Sequence, residues 1–395
     1  MNTLVQTHNS LLKHKKGTIR RELADEIDWS QRLIAIKGSR GVGKTTFLLD
    51  YIREHHANDK NCLYINLNNL FFTEKGLVPF IDEFYKRGGK ILLLDQIHKY
   101  PEWAKGLRTC YEQYPDLKII FTGSSILRIK TNEDLKNCVN VYYLNGLSFR
   151  EFLNYESGNQ FTRYTLEELL ENHEGIVEEI LGKVRPLAYF NDYLRFGYYP
   201  CYQEEKSFMD NLLKMINLIL EFDITYLNQI ELKYLSKLKK LLYIISCNVP
   251  FQPNVSKLAN DVETSRATIM NYLKYLKNAR LIRLLNSQGS FNDASKKPNK
   301  VYLHNTNLLY AIAPENVNES NLRETFFYNQ VGPNRSITST DRGHFLVNDK
   351  FNFEITGSDD TSESKFRTED FFIAADMIER GEGNKIPLWL FGFLY

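Results

Sequence analysis

Residues 38–45, Gly38-Ser39-Arg40-Gly41-Val42-Gly43-Lys44-Thr45, satisfy the pattern G-x-x-x-x-G-K-[ST] at every fixed position. Holding a nucleoside triphosphate requires this order of residue types. Glycines let successive backbone N–H groups close around a phosphate, and the helix opening at the lysine adds the positive end of its dipole. Gly38, Gly41, Val42, Gly43, Lys44, Thr45 and Thr46 are the expected phosphate contacts. Lys44 reaches the β- and γ-phosphates, and the Thr45 hydroxyl ligates Mg²⁺. A Walker B strand should follow. Ile91-Leu92-Leu93-Leu94-Asp95 fits it, with Asp95 completing the Mg²⁺ shell beside Thr45. The next residue governs the rate. In NTPases with an extra strand between the two motifs, a Glu usually stands there to polarise the attacking water. Here it is Gln96. An amide can orient that water but cannot accept its proton, and losing general-base help typically costs about 10²–10⁴ in rate. Thr122-Gly123-Ser124-Ser125 closes a fourth strand, where Ser124 is the expected sensor of the γ-phosphate. Gln96 and Ser124 are therefore the candidate catalytic residues.

These residues need a scaffold that brings distant segments to one edge. Arg32 to Lys37, Cys62 to Leu67, Ile91 to Asp95, Leu117 to Thr122 and Val139 to Leu144 read as five strands, with a helix from Lys44 to Glu54 after the glycine loop. Short, continuously apolar strands separated by helices predict a parallel sheet covered on both faces. From Phe149 to about Gln229 the pattern turns helical, with helices over Leu166 to Leu181 and Met209 to Leu220. Residues 233–303 read as three helices and a ribbon. The helices are Tyr234 to Cys247, Val255 to Val262, and one capped at Thr264-Ser265 with Ile269, Leu273 and Leu276 on a single face. The ribbon strands are Arg280 to Leu285 and Lys300 to Leu303. This is the order of a winged helix-turn-helix. Phe345 to Val347 and Phe351 to Ile355 are strand-like, and Ile386 to Tyr395 forms a compact end.

The chain has 395 residues, of which 43% are hydrophobic and 25% charged, and its net charge is +2. That balance excludes intrinsic disorder and fibrous repeats. Apolar runs such as Ile91 to Leu94 fall far short of the ~20 residues that a membrane span needs. The first 20 residues are polar and basic, without the apolar core of a secretory signal. Five scattered cysteines, Cys62, Cys110, Cys138, Cys201 and Cys247, form neither a C-x-x-C zinc pattern nor a disulfide framework. A cytoplasmic setting is the expectation. Charge is uneven: from Glu231 to Lys300 there are 13 Lys and Arg against 4 Asp and Glu, a local +9 that leaves −7 elsewhere. An anionic partner for this segment is one reading, and a solvated lysine-rich face is the other. Arg266, Asn271, Lys274 and Asn278 would project from the recognition helix, with Lys296 and Lys297 on the wing, toward double-stranded DNA.

With these elements placed, the chain resembles a bacterial and archaeal family of AAA+-type ATPases that join an ATPase domain to a winged helix and a restriction-endonuclease-like C-terminal region. The residues that carry the resemblance are Ile27-Asp28-Trp29, Gly38 to Thr45, Leu94 to Pro101, Phe121 to Ser125, Leu147 to Phe152, Arg323 to Phe327, Phe353-Glu354 and Ile386 to Trp389. The resemblance covers essentially the whole chain. It implies four parts: an ATPase domain (1–150), a helical subdomain (151–230), a winged helix-turn-helix (231–310) and a small α+β endonuclease-like domain (311–395). It also implies ATP rather than GTP. Three departures stand out. Gln96 replaces Glu, and Lys136-Asn137-Cys138 follows Asp134-Leu135 where the family has Ser-Arg-Arg. In the endonuclease-like region, Glu324 and Glu354 match the metal site, whereas His344 and Ser358 stand near the places of an Asp and a Lys. Glu→Gln after Walker B is a common laboratory device, but three sites departing together fit a natural paralogue with relaxed catalysis.

The expectation is an ATP- and Mg²⁺-binding AAA+-like protein that acts as a nucleotide-dependent switch with weak hydrolysis. Its partners would be duplex DNA or a protein, and oligomerisation is open. The alternatives are a DNA-binding module with structural ATP and, with less support, a metal-dependent nuclease.

Overall fold

The computed structural model describes residues 2–14, 19–203, 207–225, 230–288, 297–357 and 369–395. The chain forms two compact units, Met1–Gly146 and Leu147–Tyr395.

In the first unit, β1 (Leu33–Gly38), β2 (Cys62–Asn66), β3 (Ile91–Asp95), β4 (Lys118–Ser124) and β5 (Asn140–Tyr143) form one sheet in the order β2-β3-β4-β1-β5. Every neighbouring pair is parallel. Parallel neighbours need crossovers, and the helices Lys44–His55, Leu77–Lys86 and Trp103–Gln113 run between the strands. Helices on both faces explain the unbroken apolar runs: Leu33 to Ile36 and Leu92 to Leu94 are at most 1% exposed. Because β4 lies between β1 and β3, the ends of three strands meet at one carboxyl edge. Gly38 is the register partner of Ser124, and Leu94 that of Phe121. Ligands of open α/β sheets bind at such an edge.

In the second unit, the helices Phe149–Ser157 and Leu166–Leu181 each open with a capping box, Ser148 with Glu151 and Thr165 with Glu168. The helix expected over 209–220 runs over Phe208–Leu218 and then widens into a π-helical turn over Ile219–Ile224, which keeps Ile219, Leu220 and Ile224 buried. Three helices follow, Leu235–Ser246, Val255–Asp261 and Arg266–Asn278, then an antiparallel ribbon of β6 (Ile282–Leu285) and β7 (Lys300–Leu303). Ser265 caps the third helix by accepting the Thr268 N–H at 3.1 Å. Ile269, Leu273 and Leu276 are fully buried on its inner face.

A mixed sheet ends the chain. Its strands are β8 (Ile337–Thr338), β9 (Phe345–Val347), β10 (Phe351–Thr356), β11 (Phe371–Ala375) and β12 (Lys385–Pro387), in that spatial order. β10, β11 and β12 are mutually parallel; β8 and β9 join antiparallel. The helix Glu319–Val331 packs on this sheet through Phe327, whose ring lies 5.3 Å from Phe345, 5.0 Å from Phe353 and 4.9 Å from Phe391. Two buried amides bind the helices of this unit together. Asn307 accepts the Tyr198 N–H at 2.9 Å and donates to the carbonyls of Tyr193 and Leu194. Gln330 accepts the Phe149 N–H at 3.1 Å and donates to the Tyr193 hydroxyl at 2.8 Å.

All five cysteines are free. Burial pushes the Cys62 and Cys110 thiols up to about 12, so both are inert packing groups. No helix among the described residues is long and apolar enough to cross a membrane.

Candidate nucleotide site

The glycine loop leaves β1 and enters the helix Lys44–His55 through Gly43, which caps it at φ 93°. Gly41 has φ 86°. Both glycines occupy the left-handed region, where a Cβ is costly. At Gly38 the constraint is space: a Cβ there would meet the Leu144 carbonyl oxygen at 2.6 Å. Lys44 Nζ donates to the carbonyls of Gly38 at 2.9 Å and Ser39 at 2.7 Å, which keeps the ammonium at the loop. Arg21, only 8% exposed, secures the loop from beneath. It donates to the Val42 carbonyl at 2.9 Å, Asn145 at 2.7 Å and Gly146 at 3.1 Å.

Asp95 ends β3 and is 1% exposed. It accepts three hydroxyl hydrogen bonds. Thr45 Oγ1 donates to Oδ2 at 2.7 Å, Tyr64 OH to the same oxygen at 2.9 Å, and Thr122 Oγ1 to Oδ1. The tyrosine is thereby kept protonated: burial and then the carboxylate's charge raise its pKa. Thr45 and Asp95 thus lie side by side, as two oxygen ligands of one Mg²⁺ would. The donor set and the open loop backbone fit that ion and a phosphate chain.

Gln96 sits at φ 60°, ψ 48°, a strained conformation for a residue with a Cβ. Its N–H donates to Thr122 Oγ1 at 3.0 Å, so a single hydroxyl holds both Asp95 and the Gln96 backbone. Backbone strain of this kind collects at functional sites. Ser124 is 5% exposed and stands beside Gly38 across the β1–β4 pair. The residues expected from the sequence (Gly38, Gly41, Val42, Gly43, Lys44, Thr45, Thr46, Asp95, Gln96 and Ser124) therefore lie at the carboxyl edge of one sheet or on the helix it feeds. Arg21 and Tyr64 are additions that no motif pointed to, and Thr122, which lies in the sensor motif, takes a role the sequence did not assign it: it holds Asp95 and the Gln96 N–H.

A cavity of about 860 Å³ runs along the helix Lys44–His55 and is lined by Arg21, Trp29, Phe47 and Tyr51, among others. Trp29 stacks on Tyr51 at 4.1 Å between centroids.

The other expected positions fall as follows. Arg266, Asn271 and Lys274 are exposed on the third helix of the second unit, Asn278 is half-buried, and Lys297 is exposed. Lys296 and Ser358 lie outside the described residues. Glu324 is 5% exposed and accepts the Tyr302 hydroxyl at 2.7 Å. Lys300 Nζ lies 3.6 Å from it and His344 Nε2 3.9 Å. His344 Nδ1 accepts the Ile355 N–H at 3.1 Å. Among the described residues no group of three or more His, Cys, Asp or Glu is placed to hold a metal ion.

Residues 30–153 match the family model of the AAA domain, and residues 187–319 match that of a domain of unknown function, DUF8612. The N-terminal unit therefore carries an AAA+-like ATPase domain. Among curated relatives, the uncharacterized protein MJ1637 of Methanocaldococcus jannaschii is 26% identical over 287 residues, covering 69% of this chain and 60% of that protein. A second protein of that organism, MJ1544, is 26% identical over 273 residues, covering 65% and 57%. The chain thus spans about three fifths of the length of these relatives. Among solved structures, a STAND-class signal transduction ATPase with a tetratricopeptide repeat sensor, PH0952 from Pyrococcus horikoshii, is 17% identical. That match covers 80% of this chain and 45% of that one, with a TM-score of 0.29.

Proposed function

We propose that this chain binds ATP with Mg²⁺ at the Gly38–Thr45 loop and uses nucleotide occupancy as a conformational switch with weak hydrolysis. The observation that carries this reading is the Thr45 hydroxyl set 2.7 Å from the Asp95 carboxylate at the end of an intact glycine loop. Bound Mg²⁺ would neutralise phosphate charge. Gly41, Val42, Gly43 and Thr46 offer backbone N–H groups, Lys44 offers a positive charge, and Thr45 and Asp95 offer the metal its oxygens. Ser124 is placed to sense the γ-phosphate. Gln96 can orient a water but leaves the proton without an acceptor, so occupancy outlasts hydrolysis. Lys44→Ala should abolish ATP binding measured at equilibrium, and retained affinity would contradict the assignment.

A four-part organisation accompanies this reading: an ATPase domain (1–150), a helical subdomain (151–230), a winged helix-turn-helix (231–310) and an endonuclease-like domain (311–395) without activity. Glu324 supports the last point, because its carboxylate is engaged by Tyr302 and Lys300. A second reading, duplex DNA binding through residues 233–303, rests on exposed Arg266, Asn271 and Lys274. It predicts affinity that falls steeply with salt, since phosphate contacts release counterions. Salt-independent binding would instead point to a protein partner.

A further inference from the structure

A second cluster of cations lies far along the chain from the nucleotide loop. Lys277, Arg280, Arg283 and Arg335 line a cavity of about 340 Å³ within the second unit, together with Tyr328 and Gly332. No Asp or Glu is among the described residues that line it. We propose that this cavity is a binding site for a small phosphorylated solute, a phosphate monoester or diphosphate.

Three observations carry the proposal. First, Lys277, Arg283 and Arg335 line the cavity, and among the described residues none of them is within 4.0 Å of a carboxylate oxygen, although the charge of Glu167 acts on Arg335 from farther off. Arg283 gives Nε to His304 Nδ1 at 3.0 Å and Nη2 to the Asn329 carbonyl at 3.3 Å, both neutral acceptors. Arg335 gives Nη1 to the Val331 carbonyl at 3.3 Å and the Pro333 carbonyl at 3.5 Å. Secondly, the backbone accommodates the cluster. A Cβ on Gly332 would fall 2.0 Å from Arg283 Nη1, so the glycine leaves the guanidinium its room. Arg280 occupies the left-handed position just past the helix Arg266–Asn278, at φ 61°. There its N–H donates to Lys277 O at 3.0 Å and the Leu281 N–H to Leu276 O at 3.0 Å. Glycine is the usual residue at such a helix end. An arginine is held there at a cost in strain, which a charge role would explain. Thirdly, the cations are crowded. Burial and then the charge of Arg280 lower the pKa of both Lys277 and, with Tyr328 acting in the opposite sense, Arg283. Arg335 is lowered by burial, with Glu167 acting in the opposite direction and Arg163 adding to it.

Clustered guanidinium groups favour a dianionic phosphate, whose oxygens take their paired N–H donors. Size and recess choose the occupant. The three arginines are half-buried, so the ligand must enter the cavity, whereas a duplex backbone meets cations that stand out from the surface. This site is independent of the proposed ATP site, and the experiment keeps the two apart.

The test is calorimetric titration of the full chain with pyrophosphate, in the wild type, Lys44→Ala, Lys277→Gln and the double variant Lys277→Gln/Arg335→Gln. Circular dichroism checks that each variant is folded, and Lys277→Gln alone removes one of the cavity-lining charges. The expected result is a pyrophosphate site that survives Lys44→Ala and is weakened about tenfold or more, ~1.4 kcal/mol, by the double substitution. The proposal is overturned if Lys44→Ala alone removes all pyrophosphate binding, or if the double variant binds as tightly as wild type. It is equally overturned if duplex DNA binds through these two residues while pyrophosphate does not.

Discussion

Replacing Asp95 with Asn separates the two roles that a buried carboxylate can have. Asp95 is 1% exposed, and among the described residues its carboxylate accepts hydrogen bonds from the neutral hydroxyls of Thr45, Tyr64 and Thr122. Hydrogen bonds to a charged group contribute about 1.5–3 kcal/mol each, so three contribute roughly 5–9 kcal/mol. The desolvation of one buried ion costs several kcal/mol. These terms nearly cancel. Asn keeps an acceptor oxygen, and rotatable hydroxyls can turn to accept from its amide. Asp95→Asn should therefore change the stability of the nucleotide-free protein by no more than ~1 kcal/mol. The ligand response should behave differently. At a free ligand concentration of about 100 Kd, binding adds ~2.7 kcal/mol to stability. For a domain of this size that raises Tm by roughly 5–10 °C. Asn offers Mg²⁺ no charge, so the variant should lose most of that rise. The assay is thermal unfolding with and without Mg²⁺ and ATP, followed at the nucleotide-responsive transition. Two results would refute the reasoning: a variant that keeps the full shift, or one that loses more than ~3 kcal/mol without nucleotide, which would make the carboxylate a structural group.

Three further predictions follow from the same geometry. Arg21→Ala removes donors to three carbonyls beneath the glycine loop, and should cost about 2–4 kcal/mol in denaturant unfolding while weakening ATP binding; unchanged affinity would show that the loop needs no such support. Gln96→Glu supplies the missing proton acceptor and should raise turnover by about 10²-fold or more, with little change in affinity, read by steady-state phosphate release. His304 is buried among Arg283 and Arg280, and burial and then those charges lower its pKa well below 6.5. The unfolded chain therefore binds the proton first, and the stability His304 confers is complete above about pH 6.5 and falls below it, by up to ~1.4 kcal/mol per pH unit. His304→Gln should flatten the pH dependence of unfolding over that range, and equal slopes in wild type and variant would contradict this.

The legible part of the fold is the part built from local pattern. Gly38 to Thr45 and Ile91 to Asp95 announce a loop and a strand end because the chemistry and the backbone conformation lie in consecutive residues. The three helices and ribbon of residues 235–303 were legible for the same reason, since Ser265 caps its own helix and Ile269, Leu273 and Leu276 share one face. What escaped was set by pairing between distant segments. Tyr64 reaches Asp95 only because β2 neighbours β3, and Arg21 reaches Asn145 across most of the first unit. Short strands such as Ile337–Thr338 carry too few residues for any periodicity. The basic segment shows the same limit. Its charge was visible as a sum, but nothing in the spacing reveals that Arg280 and Arg283 are half-buried along a cavity while Arg266 and Lys274 stand in solvent.

The central claim, nucleotide held but slowly turned over, is tested most directly by one paired measurement on the wild-type chain. Equilibrium binding of ATP and GTP with Mg²⁺ would be recorded alongside steady-state phosphate release under the same conditions. The account predicts saturable, Mg²⁺-dependent ATP binding that GTP does not match, with turnover far below the ~10 s⁻¹ typical of enzymes. Turnover near that value, or no ATP binding at all, would contradict it.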